Sequence, residues 1–272
     1  MATMPVNITI LGVSGRMGHA IVGEIALDRR CNLHGGIVRS DSEHDGQDIG
    51  TLAGVGFAGV NAVVRIEDAA KGADVVIDVS VPEATAAAAE RLAAMGGVAL
   101  VTGVTGLNAE QSERLKAASE KMPILAARNF SLGVAILEDL VRQAAAALPL
   151  HRWDAEIVET HHRAKIDAPS GTALMLGEAI AEGRGQAFDQ VATMGRTGQT
   201  GYREPGTIGV AAVRGGAVIG EHDVKFLSDY ETITLGHAAH DRRVFARGAI
   251  DAARWLAGKP AGLYSMRDVV SG

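Results

Sequence analysis

From residue 6 to about 130, short apolar runs alternate with stretches in which apolar residues recur every three or four positions. The runs have the length and composition of strands buried on both faces, and the stretches have the spacing of the helices that cover them. The runs predict strands over 6–11, 33–38, 75–79, 98–101 and 124–127, and the stretches predict helices over 15–28, 83–94, 108–121 and 132–147. Asn108 stands where a helix N-cap belongs, and Pro82 where a helix starts. From about Trp153 the texture changes. A strand is predicted over 154–159, a helix over 170–181, and a long loop rich in Gly, Arg and Thr over 182–206. Residues 207–213, 217–221, 222–226 and 231–236 read as antiparallel strands joined by short turns, with Gly215-Gly216 forming one hairpin. A last amphipathic helix spans 244–256.

Strand–helix alternation followed by a cluster of strands defines the expected fold class. It is α/β, a Rossmann-like parallel-sheet domain plus an α+β domain with an open mixed or antiparallel sheet. An open sheet tends to cover its face against another subunit, so an oligomer is expected.

Composition narrows the function. The 272 residues suffice for one large or two modest cores, with 47% hydrophobic and 21% charged residues. The net charge of −6 argues against a nucleic-acid partner, although a local cationic pocket remains compatible with it. A single cysteine, Cys31, rules out an internal disulfide and fits a reducing, cytoplasmic setting. No apolar run approaches the ~18–20 residues of a membrane span, and the N-terminus reads as a strand, not a signal peptide.

Gly12-Val13-Ser14-Gly15-Arg16-Met17-Gly18 follows the first strand and opens the first helix. Gly12 permits a tight turn, Gly15 lets backbone approach a pyrophosphate, and the helix start offers free amides. The spacing is G-x-x-G-x-x-G and is weak evidence alone, since a turn needed only for packing also uses glycine; the strand–turn–helix context strengthens it. Arg16 adds a cation that a phosphate would explain. The second strand ends Ile37-Val38-Arg39-Ser40, with a cation where an NAD specialist carries an acid. Arg39 suits a ribose 2′-phosphate and favours NADPH over NADH, while the nearby Asp41 opposes that inference.

The richest segment is Glu156-Ile-Val-Glu159-Thr-His161-His162-Arg-Ala-Lys165-Ile-Asp167-Ala-Pro169-Ser170-Gly171-Thr172-Ala173. Neither a buried strand nor a surface loop needs this mixture of imidazoles, ammonium and carboxylates. Imidazole is poised to move protons near neutral pH, which makes the His161-His162 pair a candidate source of a proton. Lys165 is suited to carry substrate charge or to transfer a proton. Ser170, Gly171 and Thr172 head a helix and form a ready carboxylate site. A metal is the lesser alternative, because adjacent histidines on a strand point apart and no third ligand has zinc-like spacing.

This string resembles the signature of the dihydrodipicolinate reductase family. The resemblance covers nearly the whole chain, through Gly103–Gly106, Asn129-Phe130-Ser131, Pro205–Gly209, Gly220-Glu221-His222 and Gly262–Val269. It implies NAD(P)H-dependent reduction of 4-hydroxy-tetrahydrodipicolinate, a cyclic dicarboxylate, with loss of water, on the diaminopimelate route to lysine. Hydride would reach ring C4, and the proton would come from the His161/Lys165 site. It further implies that Gly12, Val13, Ser14, Gly15, Arg16 and Met17 hold the pyrophosphate and Arg39 the adenosine end. Gly103, Val104, Thr105, Ala127, Arg128, Asn129 and Phe130 would line the nicotinamide side. His162, Gly171, Thr172 and Arg242 would bind the substrate carboxylates. The family often has an acid at position 38 and Thr at 104, and valine stands at both here. The implied division is 1–130 with 241–272 for the nucleotide and 131–240 for substrate and a homotetramer, with hinges near 129–131 and 240–242. Two rivals are another Rossmann oxidoreductase, such as an aspartate or homoserine dehydrogenase, and a silent NAD(P)-binding regulator. The first has no reason to carry the His-His-x-x-Lys block, and the second no reason to keep His161 and Lys165.

Overall fold

The computed structural model describes residues 4–272. In chain order the elements are β1 (Val6–Leu11), α1 (Arg16–Leu27), β2 (Cys31–Ile37), α2 (Ile49–Leu52), β3 (Ala62–Val63), α3 (Ile66–Ala70), β4 (Val75–Asp78), α4 (Pro82–Met95), β5 (Ala99–Thr102), α5 (Ala109–Ser119) and β6 (Pro123–Ala126). They continue with α6 (Leu132–Ala147), β7 (Asp154–His161), α7 (Gly171–Gly183), α8 (Phe188–Val191), β8 (Ala192–Met194), β9 (Ile208–Arg214), β10 (Gly220–Leu227) and β11 (Thr232–Ala239). The chain ends with α9 (Arg243–Leu256), β12 (Gly262–Tyr264) and α10 (Met266–Ser271). Two compact units result: one runs to Ser131 and resumes over Arg243–Gly272, and the other is Leu132–Arg242.

The first unit is built on a parallel sheet of order β12-β6-β5-β4-β1-β2-β3. Its central strands are apolar on both faces, with Ile8, Ile10, Val75, Val76, Ile77, Leu100 and Val101 all fully buried. Strands so hydrophobic need a helix layer on each side, which is why the runs read as strands from composition alone. Pro82 is the first residue of α4, where its missing N–H costs nothing. Asn108 caps α5 in a reciprocal capping box with Gln111. β3, α3, β12 and α10 carry too few residues for a periodic signal.

The second unit has a mixed sheet of order β11-β10-β7-β9-β8. β7 alternates partly exposed with buried residues, so Ala155, Ile157, Glu159 and His161 share the inward face. Leu137, Val141, Leu176, Ile180, Val210, Val224 and Phe226 join Ala155 and Ile157 in the core under α6 and α7. Three expectations fail here. The segment 182–206 contains α8 and β8, and β8 pairs parallel to β9. Residues 217–221 and 222–226 are not two strands, since β10 runs unbroken from Gly220 to Leu227. Gly215-Gly216 does not close a hairpin: β9 is parallel to β7 and β10 is antiparallel to β7, so β7 lies between them. A glycine pair marks a turn but says nothing about which strands flank it. Among the described residues no helix is long and apolar enough to cross a membrane.

Candidate active site

In the first unit β2 and β3 add to one side of β1, while β4, β5, β6 and β12 add to the other. Such a reversal opens a crevice beyond the C-terminal ends of the strands. A cavity of about 600 Å³ lies there, lined by Gly12, Ser14, Gly15, Arg39 and Ser40, by Val79–Val81 and by Ala84, Ala87, Ala88 and Arg91 of α4. A second cavity of about 400 Å³ shares Val79, Ser80 and Val81 and is lined by Met17, Gly103, Val104, Thr105, Ala127, Arg128, Asn129 and Phe130. Most of the residues expected to hold a dinucleotide are thus brought together on one continuous groove.

The turn fits a pyrophosphate. Gly12 has φ +85°, and a Cβ there would lie 3.0 Å from the Val79 carbonyl oxygen and 3.2 Å from Ser80 Cα. Only glycine combines that backbone with that approach. A Cβ on Gly18 would fall 2.5 Å from the carbonyl oxygens of Gly12 and Val13, so α1 starts directly against the turn. α1 has no side-chain cap at Gly15 and no acidic residue in its first turn, which leaves its amides and its partial positive charge for an anion. Gly103 has no room for a side chain because the Phe130 ring packs on it.

Three residues behave differently from the rest. Val13 is fully buried and lines neither cavity. Arg16 is exposed and lines neither cavity. Arg39 Nε lies 2.9 Å from Asp41 Oδ1, with the two side chains 81% and 73% exposed. An exposed pair of this kind is worth about 0–1 kcal/mol, so a phosphate can replace Asp41 at little cost.

Asp78, at the end of β4, was not foreseen. It is fully buried and accepts from Ser80 N (3.0 Å), Ser80 Oγ (2.5 Å), Thr85 Oγ1 (2.6 Å) and Thr102 Oγ1 (3.0 Å). Burial pushes its carboxyl up despite those four donors. Thr102 Oγ1 in turn accepts from Val104 N at 3.3 Å. One side chain therefore ties together the two loops that wall the groove.

In the second unit the inward face of β7 delivers the chemistry. Glu159 is fully buried and His161 is 8% exposed. His161 Nδ1 lies 2.6 Å from Glu159 Oε2. The strand register brings the other partners alongside, with Arg214 of β9 opposite His161 and His222 of β10 opposite Glu159. Arg214 donates to both Glu159 oxygens at 2.8 Å, and Ser170 N donates to Oε1 at 3.0 Å. Burial pushes the Glu159 carboxyl up, but Arg214, His161 and Ser170 together outweigh it and hold the group below the usual carboxylate range. An ionised carboxylate only accepts, so the proton of the 2.6 Å bond belongs to His161 Nδ1.

Ser170 is the N-cap of α7. Its Oγ accepts from Ala173 N at 3.2 Å and is hydrogen-bonded to His222 Nε2 at 2.9 Å. With its amide and hydroxyl both hydrogen-bonded and the residue 2% exposed, Ser170 serves here as the helix cap. Gly171 is exposed and Thr172 half-buried at the same helix start. Lys165 Nζ pairs with Asp167 at 2.9 Å. Arg242 Nη2 donates to His162 Nε2 at 3.1 Å. Desolvation first, then the charge of Arg242, moves His162 below the usual imidazole value. The fixed positive charge of that pair is therefore carried by Arg242. Glu159 stood in the segment that drew attention, and an acid on the apolar face of a strand two residues before a histidine was a usable signal. Arg214 and His222 join the site through strand register, which the sequence around them did not reveal. Among the described residues no group of three or more His, Cys, Asp or Glu is arranged to hold a metal.

His222 is 4% exposed, and its ring meets that of His161 edge-on at 5.1 Å between centroids. Desolvation, then His161, lowers its pKa from 6.5 to about 4. The unfolded chain binds this proton first, so the contribution is complete above pH 6.5 and is lost as pH falls towards 4. It amounts to on the order of 3 kcal/mol. Wild type should lose more of its stability than His222→Gln between pH 6.5 and 4 in urea melts. Parallel losses would show that His222 does not carry the effect.

Comparison with known proteins finds matches through both units. The model of the dihydrodipicolinate reductase N-terminus matches residues 6–130, and that of the C-terminus matches residues 133–270. The chain is 51% identical over 268 residues to the 4-hydroxy-tetrahydrodipicolinate reductase of Caulobacter vibrioides, covering 98% of each chain. It is 44% identical over 267 residues to that of Thiobacillus denitrificans, covering 98% of this chain and 99% of the other. Among solved structures, dipicolinate-bound dihydrodipicolinate reductase from Paenisporosarcina sp. TG-14 superposes with a TM-score of 0.76 at 23% identity, over 96% of this chain and 98% of that one, and shares the fold. On the strength of matches that run through both units, the chain belongs to the dihydrodipicolinate reductase family.

Proposed function

We propose that this chain reduces 4-hydroxy-tetrahydrodipicolinate to tetrahydrodipicolinate with loss of water, with NADPH favoured over NADH. The observation that carries the reading is the buried Glu159–His161 pair on the strand that leads to Lys165 and the amide-tipped start of α7. An imidazole backed by a carboxylate is built to hold and deliver a proton near neutral pH. A helix start and a nearby arginine are built to hold carboxylates. A solved relative is bound to dipicolinate, a ring with two carboxylates, which supports the same substrate class here.

In this reading the Leu132–Arg242 unit holds the substrate. Gly171 and Thr172 amides and the Arg242 guanidinium, with His162 as its acceptor, take the carboxylates. Lys165 neutralises charge that gathers on the ring, and His161 or Lys165 delivers the proton that the reduced ring needs. Gly12, Ser14, Gly15 and Met17 seat the pyrophosphate by backbone, and Arg39 takes the ribose 2′-phosphate. Gly103, Val104, Thr105, Ala127, Arg128, Asn129 and Phe130 enclose the nicotinamide. Reduced nicotinamide, when bound there, would supply the hydride for ring C4.

The test is oxidation of reduced nicotinamide with substrate generated in place from pyruvate and aspartate semialdehyde by the upstream synthase. Oxidation should depend on the synthase and run faster with NADPH. Arg39→Ala should lower kcat/KM for NADPH roughly tenfold, the worth of one charge-assisted contact, and leave NADH within about twofold. Equal losses with both cofactors would remove Arg39 as the discriminating residue. No synthase-dependent oxidation from folded protein would remove the reading itself.

A further inference from the structure

We propose that Glu159 and Arg214 are positioning residues for the reaction: a buried carboxylate clamped by a guanidinium sets the imidazole of His161, the start of α7 and the connection carrying Lys165 in one arrangement. The inference rests on the proposed reductase activity of the same site.

The two oxygens of Glu159 are shared out evenly. Oε2 accepts from His161 Nδ1 at 2.6 Å and Arg214 Nη1 at 2.8 Å, while Oε1 accepts from Arg214 Nη2 at 2.8 Å and Ser170 N at 3.0 Å. A carboxylate with no exposed surface is costly to bury unless it is paired and hydrogen-bonded on every side. This one is so arranged, and its four bonds reach three pieces of the site, the His161 ring, the Arg214 guanidinium and the start of α7. Arg214 extends the arrangement: Nη2 donates to the Asp167 carbonyl at 2.7 Å, and Nη1 to the Val213 carbonyl at 2.7 Å. The connection that holds Lys165, itself 2.9 Å from Asp167, is thereby tied to the carboxylate that orients His161.

The chemical consequence lies in the imidazole. With Glu159 ionised, the Nδ1 proton stays in place, and Nε2 is the nitrogen left to exchange protons with a ligand. Space at Nε2 is kept by Gly220, where a Cβ would stand 3.0 Å from that atom. The charged and titratable groups against the ring are Glu159 on β7, Arg214 on β9 through that carboxylate, His222 on β10 and the neighbouring His162. Arg214 cannot be replaced by lysine without loss, because one ammonium cannot make two parallel bonds to Oε1 and Oε2.

The experiment uses the full chain with Glu159→Gln, Glu159→Asp, Arg214→Lys and Arg214→Gln, beside wild type and His161→Ala. Imidazole ¹⁵N spectra, assigned by the His161→Ala difference, report the tautomer without any need for activity. Wild type should show His161 protonated on Nδ1 at neutral pH. Glu159→Gln should lose that preference, lower kcat roughly 10–100-fold and leave KM for the reduced nicotinamide within about twofold. Glu159→Asp should recover part of the loss, and Arg214→Lys should fall between wild type and Arg214→Gln. A wild-type His161 protonated on Nε2 would overturn the proposal, even if every variant failed to fold. So would folded Glu159→Gln and Arg214→Gln that keep the wild-type kcat and the wild-type imidazole tautomer. If wild type itself oxidises no nicotinamide, the activity reading fails, while the tautomer still decides the positioning.

Discussion

His161→Ala is expected to lower kcat by about 10²–10⁴, the range that a positioned general acid contributes. The expectation comes from where the ring sits. It is 8% exposed, its Nδ1 is held at 2.6 Å by an ionised carboxylate, and its other face meets a second imidazole kept neutral by burial. That environment fixes one tautomer and one orientation, which is worth little to the fold and much to proton transfer. Lys165→Ala should fall in the same range by removing the ammonium that meets charge growing on the ring. Steady-state rates on folded variants, judged by circular dichroism, test both. Wild-type turnover from either would remove that residue from the chemistry, and removal of both would leave the second unit as a binding site only.

Gly12→Val is expected to weaken binding of the reduced nicotinamide by at least ~100-fold, with the second unit intact. Two costs add. Position 12 has φ +85°, where a β-branched residue is strained by roughly 1–2 kcal/mol or more. Its Cβ would also press on the Val79 carbonyl oxygen at 3.0 Å and Ser80 Cα at 3.2 Å, in the loop shared by both cavities. Fluorescence titration of NADPH reads the affinity, and dipicolinate binding by calorimetry reports on the untouched unit. Unchanged NADPH affinity would mean that the turn is a packing feature.

The parts of the fold that could be read in advance are those set by local chemistry. Ile8, Ile10, Val75–Ile77 and Leu100–Val101 announce central parallel strands because both faces are buried, and Asn108 and Pro82 announce helix starts because a terminus has only a few orphan amides to satisfy. Gly215-Gly216 misled because a turn is local and strand pairing is not: the chain leaves β9, passes over β7 and returns as β10 on its far side. The site divides the same way. The Gly12 turn and the His161–Thr172 segment are contiguous in sequence and were legible as chemistry. Arg214, His222 and Asp78 act through register and loop packing, with partners 55, 52 and 24 positions away. Ser170 was legible as a helix start, but its burial against His222 was not.

The most direct test of the account follows a label. NADPH carrying deuterium at the transferring position would be supplied with synthase-generated substrate, and the product read by NMR. The account predicts oxidation that depends on the synthase and a single deuterium at C4 of tetrahydrodipicolinate. Deuterium at any other ring position, or no oxidation from folded protein that still binds dipicolinate, would contradict it.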